Sequence, residues 1–136
     1  MTPSRVEWDP AHAVGHAQLD AQHRELIAAC NRLADDCPDG GGADAGFEQA
    51  FARVKARVLA HLEAEAMVLA ELGDPRAEDP RLDAEEFSYL ADEIITTGHF
   101  DPVELQRFVA LWCVGHVVES ARRLRALLGG DGATGR

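Results

Sequence analysis

Between Phe47 and Leu72 the seam positions recur in steps of four and three: Phe47, Phe51, Val54, Val58, then His61 and Glu65, then Val68 and Leu72. That spacing turns one face of an α-helix toward a core. It predicts a helix from about Asp44 to Leu72, stopped by Gly73-Asp74-Pro75. The same rhythm recurs on either side. Leu19, His23, Leu26, Ile27, Cys30 and Leu33 share a face of a helix that Asp20 is placed to cap and that ends near Asp36. Pro80, Ala84, Phe87, Ala91 and Ile94, with Leu90 and Ile95 beside them, mark a third helix, opened by Asp79-Pro80 and broken at Gly98-His99-Phe100. Asp101-Pro102-Val103-Glu104 opens a fourth, with Leu105, Val109, Trp112, His116 and Leu127 on one face, running to about Leu128 before Gly129-Gly130.

No stretch alternates at period two over a useful length, and no segment repeats. The expected fold is therefore all-α: an up-down-up-down antiparallel four-helix bundle over about residues 20–128. An irregular N-terminal arm, 1–19, precedes it; Pro3 and Pro10 oppose helix there, while Val6, Trp8 and Val14 can pack onto the body. Residues 129–136 read as a disordered tail. The whole of 1–136 is expected to form one domain.

A net charge of -11 excludes nucleic acid and anionic membrane surfaces as expected partners, since both want Lys and Arg patches. No apolar run approaches the ~18 residues of a transmembrane helix. The first residues show no apolar signal core, so the expected location is cytoplasmic. Cys30, Cys37 and Cys113 are odd in number and lack C-x-x-C spacing, which fits reduced thiols.

The chemistry lies where the seams are interrupted. His23 on the first helix, His61 and Glu65 on the second and His116 on the fourth each replace an apolar residue in a regular row. A carboxylate in a core needs a countercharge or must take a proton. Imidazole and carboxylate are ligands for iron, zinc or manganese, and residues four apart share a helical face, so His61 and Glu65 can grip one ion. A metal-free polar cluster, with Glu65 neutralised by a protonated histidine, is the other reading that spacing leaves open. His12 and His16 in the arm read as solvated or as local caps; no spacing ties either to a metal. Cys30 and Cys113 read as core fillers, with Cys113, one turn before His116, a candidate soft ligand. Trp8 and Trp112 are expected in the core, and Glu63, Glu85, Glu86 and Glu93 on a solvated acidic face.

From residue 6 to about 128 the chain resembles the bacterial hemerythrin family, four-helix bundles that hold a non-haem di-iron centre and bind dioxygen. The likeness is carried by Trp8-Asp9-Pro10, by Val14-Gly15 and Leu19 to Leu26, by His61-x-x-x-Glu65, by Gly73-Asp74-Pro75 and by Leu111 to His116. It departs from the family in three places. The third-helix pair H-x-x-x-H, in register with Phe87, falls on Pro80 and Ala84, and the Asp five residues after the last His falls on Ala121. The resemblance therefore implies that His23, His61 and Glu65 are kept from one iron site and only His116 from the other. The expected protein is a hemerythrin-like, non-enzymatic metal-binding protein with a reduced, mononuclear site: His23, His61, Glu65 and His116 around one non-haem iron, or zinc. Oxygen, redox or metal sensing, or storage, is its expected role, with the metal ion and dioxygen as partners. Two alternatives stand beside it: a metal-free hemerythrin-fold interaction protein, and an oxygen-binding di-iron hemerythrin whose second site is rebuilt from residues such as Asp79, Asp83, Glu119, His12 or His16.

Overall fold

The computed structural model describes residues 2–97 and 100–128; the expected break at Gly98-His99 and the expected tail at 129–136 lie outside the described residues. Four helices carry the fold: α1, Ala17–Asp35; α2, Ala45–Glu71; α3, Asp79–Thr96; and α4, Pro102–Leu128. Among the described residues there is no strand. α1 packs against both α2 and α4, and α3 packs against α2, an arrangement consistent with a helical bundle.

Local chemistry sets the helix ends. Asp44 caps α2 by accepting from the Phe47 amide at 2.8 Å, and Asp101 opens α4 by accepting from the Val103 amide at 2.9 Å. α1 starts earlier than its sequence suggests. His16, not Asp20, is the N-cap, its Nδ1 accepting from the Leu19 amide at 3.3 Å. Asp20 lies inside the first turn, and its carboxylate reaches back to the Val14 amide at 2.7 Å and the Gly15 amide at 3.3 Å. A carboxylate there also faces the positive end of the helix dipole. At the other end of α2, Gly73 at φ 73° allows the Gly73 and Asp74 amides to return to the carbonyls of Ala70 and Leu69, both at 3.0 Å. That turn lifts Leu72 out of the expected seam to 43 % exposure. α3 is capped by the backbone of Glu78, with Asp79 already helical and Pro80 in its first turn.

The segment before α1 is bound across α1 and α4 by two amide side chains. Gln106 accepts from the Ser4 amide at 2.7 Å and donates to the Ser4 carbonyl at 2.6 Å; Asn31 does the same for Val6, both bonds at 2.8 Å. Asp9 caps a 3-10 turn at Pro10–His12, and Trp8 lies under the guanidinium of Arg24.

Two apolar clusters dominate the described core, and a third, small one joins Val6, Ile27 and Ala110. The first contains Leu26, Cys30, Leu33, Phe47, Phe51, Val54, Val58, Leu62, Phe87, Leu105, Val109 and Cys113. The second contains Val14, Leu19, Val68, Leu69, Ala121 and Leu124. Along α1, α2 and α4 five polar residues fall between these two: His23 after Leu19 and before Leu26, His61 and Glu65 after Val58 and before Val68, His116 and Ser120 after Cys113 and before Leu124. Leu90 and Ile95 on α3 are exposed instead of packed, as α3 buries only Pro80, Phe87 and Ala91.

Candidate metal centre

Three helices bring the four expected residues together. One ligand atom from each of His23, His61, Glu65 and His116 lies within 4.8 Å of every other. His116 Nε2 is 3.0 Å from Glu65 Oε1 and 3.1 Å from His61 Nε2, and His61 Nε2 is 3.4 Å from Glu65 Oε1. With metal–nitrogen distances of about 2.0–2.1 Å, neighbouring ligands of one ion stand roughly 2.8–3.4 Å apart in octahedral or tetrahedral geometry. These three atoms have that spacing already.

Neighbouring side chains aim the site. Gln22 Oε1 accepts from His61 Nδ1 at 2.7 Å, which leaves the Nε2 lone pair of His61 turned inward. Ser120 Oγ donates to Glu65 Oε2 at 2.6 Å and lies 3.1 Å from His116 Nε2. Trp112 stacks on the His116 ring, centroids 5.3 Å apart and planes 7° from parallel, and Phe87 backs Trp112 at 4.8 Å. Ser120 and Gln22 escape a reading of the sequence. Ser120, four residues after His116, resembles a small core filler, and Gln22 resembles a surface polar residue beside the seam.

His23 is completely buried, and neither of its ring nitrogens has a hydrogen-bond partner. An unsatisfied buried polar group costs about 1–3 kcal/mol. A cation shared with the other three residues would occupy one of those nitrogens. Glu65 Oε1 lacks an aligned hydrogen bond despite its two imidazole neighbours. Burial would push the Glu65 carboxyl up, but the contacts with His116, His61 and Ser120 outweigh it and hold the carboxyl well below its usual range. Burial, then His61 and His116, pushes His23 down to about 3. Burial also lowers His61, against the opposing pull of Glu65. Two neutral imidazoles beside an ionised carboxylate are the protonation states that metal ligation needs.

The other candidates are placed elsewhere. His12 Nδ1 accepts from the Asp9 amide at 3.1 Å and His16 caps α1, so both act as local caps. Cys113 is buried one turn from His116 but is not in the cluster; the neighbouring Cys30 and burial push its thiol up. Glu119 is exposed and pairs with Arg122 at 2.7 Å. Asp79 and Asp83 lie outside the cluster, although Asp83 is half-buried and its carboxyl is pushed up, chiefly by burial. Pro80 and Ala121 are buried and Ala84 half-buried, so the three departures from the resemblance present no ligand atoms. Among the described residues no second group of His, Cys, Asp and Glu gathers to hold a metal. Glu63, Glu85, Glu86 and Glu93 are exposed as expected, Glu63 pairing with Arg81 at 2.8 Å. Trp8 and Trp112 are half-buried at the core's edge.

Compared with protein-family models, with curated proteins and with solved structures, the chain has no match.

Proposed function

We propose that this chain is a one-domain, hemerythrin-like metal-binding protein: an up-down-up-down antiparallel bundle with its N-terminal segment as an arm across α1 and α4. His23, His61, Glu65 and His116 hold one non-haem ion, iron or zinc. The observation that carries this reading is His23: fully buried, with both nitrogens unpartnered, beside three ligand atoms at the mutual spacing of one coordination sphere. A bound ion supplies the positive charge that Glu65 lacks. The chain's own residues do the rest: Gln22 fixes the His61 tautomer, Ser120 holds Glu65 and Trp112 fixes the plane of His116. The role proposed is sensing or storage of metal, oxygen or redox state.

A metal-free polar layer is the second reading, and one observation favours it. The Ser120–Glu65 bond at 2.6 Å and the His61–His116 contact at 3.1 Å are also good hydrogen-bond lengths. In that case the Nε2 proton of His116 faces three acceptors at once, His61, Glu65 and Ser120, while His23 stays unsatisfied. Equilibration with ferrous iron under anaerobic conditions, or with zinc, followed by gel filtration and elemental analysis, separates the readings. One ion per chain, lost in His23→Ala, is expected. No retained ion supports the polar layer, and two ions per chain would restore the di-iron alternative.

A further inference from the structure

A second feature lies in the outer groove between α1 and α2. A cavity of about 350 Å³ is lined by Glu25, Ala28, Ala29 and Arg32 of α1 and by Ala50, Arg53 and Arg57 of α2. Three guanidiniums, one carboxylate and three alanines make up its lining. Arg57 pairs with Glu25 at 3.2 Å. The guanidiniums of Arg32 and Arg53 have no hydrogen-bond or ion-pair partner among the described residues, in a chain with 24 Asp and Glu and only 13 Lys and Arg. Most other described cations of this protein meet an oxygen: Arg5, Lys55, Arg76, Arg81 and Arg122 meet carboxylates, and Arg107 and Arg125 meet backbone carbonyls. Placing Arg53 and Arg57 four residues apart on one helix, facing Arg32, sets like charges against one another. Alanine at three lining positions leaves room that larger side chains would fill.

From this we infer that the groove binds a small phosphate monoester. Three guanidiniums against one carboxylate leave two uncompensated positive charges, the charge of a phosphate monoester and one more than a carboxylate needs. The forked donors of Arg32 and Arg53 grip the phosphate oxygens, and a short apolar body lies on Ala28, Ala29 and Ala50. The volume is at the lower end of small-ligand sites.

The test is calorimetric titration of the full chain at low ionic strength with phenyl phosphate, inorganic phosphate and benzoate. Saturable binding of phenyl phosphate is expected, tighter than that of benzoate. Arg32→Gln combined with Arg53→Gln should weaken it at least tenfold without moving the melting temperature, because both side chains are exposed. Arg32→Gln alone serves if the double variant is less stable. Ala28→Leu should weaken phenyl phosphate more than inorganic phosphate. Absence of saturable binding, an unchanged affinity in the arginine variants, an equal loss from the distant Arg122→Gln, or tighter binding of benzoate would overturn the inference.

Discussion

Ser120 is the residue whose removal most directly probes how Glu65 is held. Its hydroxyl donates to Glu65 Oε2 at 2.6 Å where neither group meets solvent. Ser120→Ala leaves that oxygen unsatisfied, and denaturant unfolding should show a loss of about 1–3 kcal/mol. Metal affinity should fall about 10–100-fold, as for other groups that orient a ligand; an unchanged affinity would mean that Glu65 is placed by its helix alone. His23 gives a pH signature in the chelated protein. Its folded value near 3 lies below the ordinary 6.5, so between those values the unfolded chain binds more protons. Stability is then fully present above about pH 6.5 and falls as pH drops toward 3. Glu65, lowered from 4.5, adds a loss of the same sign below that value. His23→Leu should flatten the melting-temperature curve between pH 6.5 and 4; curves that stay parallel would show that His23 is not carrying the slope. The four residues of the cluster are legible in the sequence because each breaks an apolar row. Ser120 and Gln22 are not, because a small or amide side chain beside a seam has no periodic signature.

At the scale of elements, α2 is the most legible: long, strongly periodic, capped by Asp44 and closed by Gly73. Gly73 holds φ at 73°, and Gly73→Ala should cost about 1 kcal/mol, a drop of roughly 4 °C in melting temperature. A neutral result would show that the turn relaxes without it. The start of α1 differs from its sequence expectation because Asp is a common N-cap, whereas here an imidazole nitrogen does that work and Asp20 closes the preceding turn. Leu72 differs from its expectation because periodicity cannot register that a helix ends one residue before the pattern does. α3 contributes no atom to the cluster, and its Pro80 and Ala84 hold the positions where the resemblance would put histidines. Pro80→His with Ala84→His and Ala121→Asp should raise iron uptake from one ion to two per chain, read by elemental analysis. Ala121 packs among Val14, Leu19 and Leu124, so the carboxylate there is tolerated only if a metal meets it. No second ion would count against the register drawn through Phe87.

Across the whole molecule the polar layer lies between two apolar ones, and the ionised Glu65 in it asks for a cation. Among the described residues no helix is long and apolar enough to cross a membrane. The all-helical architecture follows from the hydrophobic rhythm alone. The mutual spacing of the four residues does not, because it depends on how three helices converge. Binding to the folded state alone raises stability by about 2.7 kcal/mol when free metal is one hundred times its dissociation constant, which for a chain of this length is roughly 10 °C. The decisive measurement is therefore thermal unfolding of wild type and Glu65→Gln, each with chelator and with ferrous iron or zinc. Metal should raise the wild-type melting temperature by about that amount and leave Glu65→Gln nearly where chelator puts it. A wild-type melting temperature that metal does not move would contradict the metal centre and leave only the helical fold.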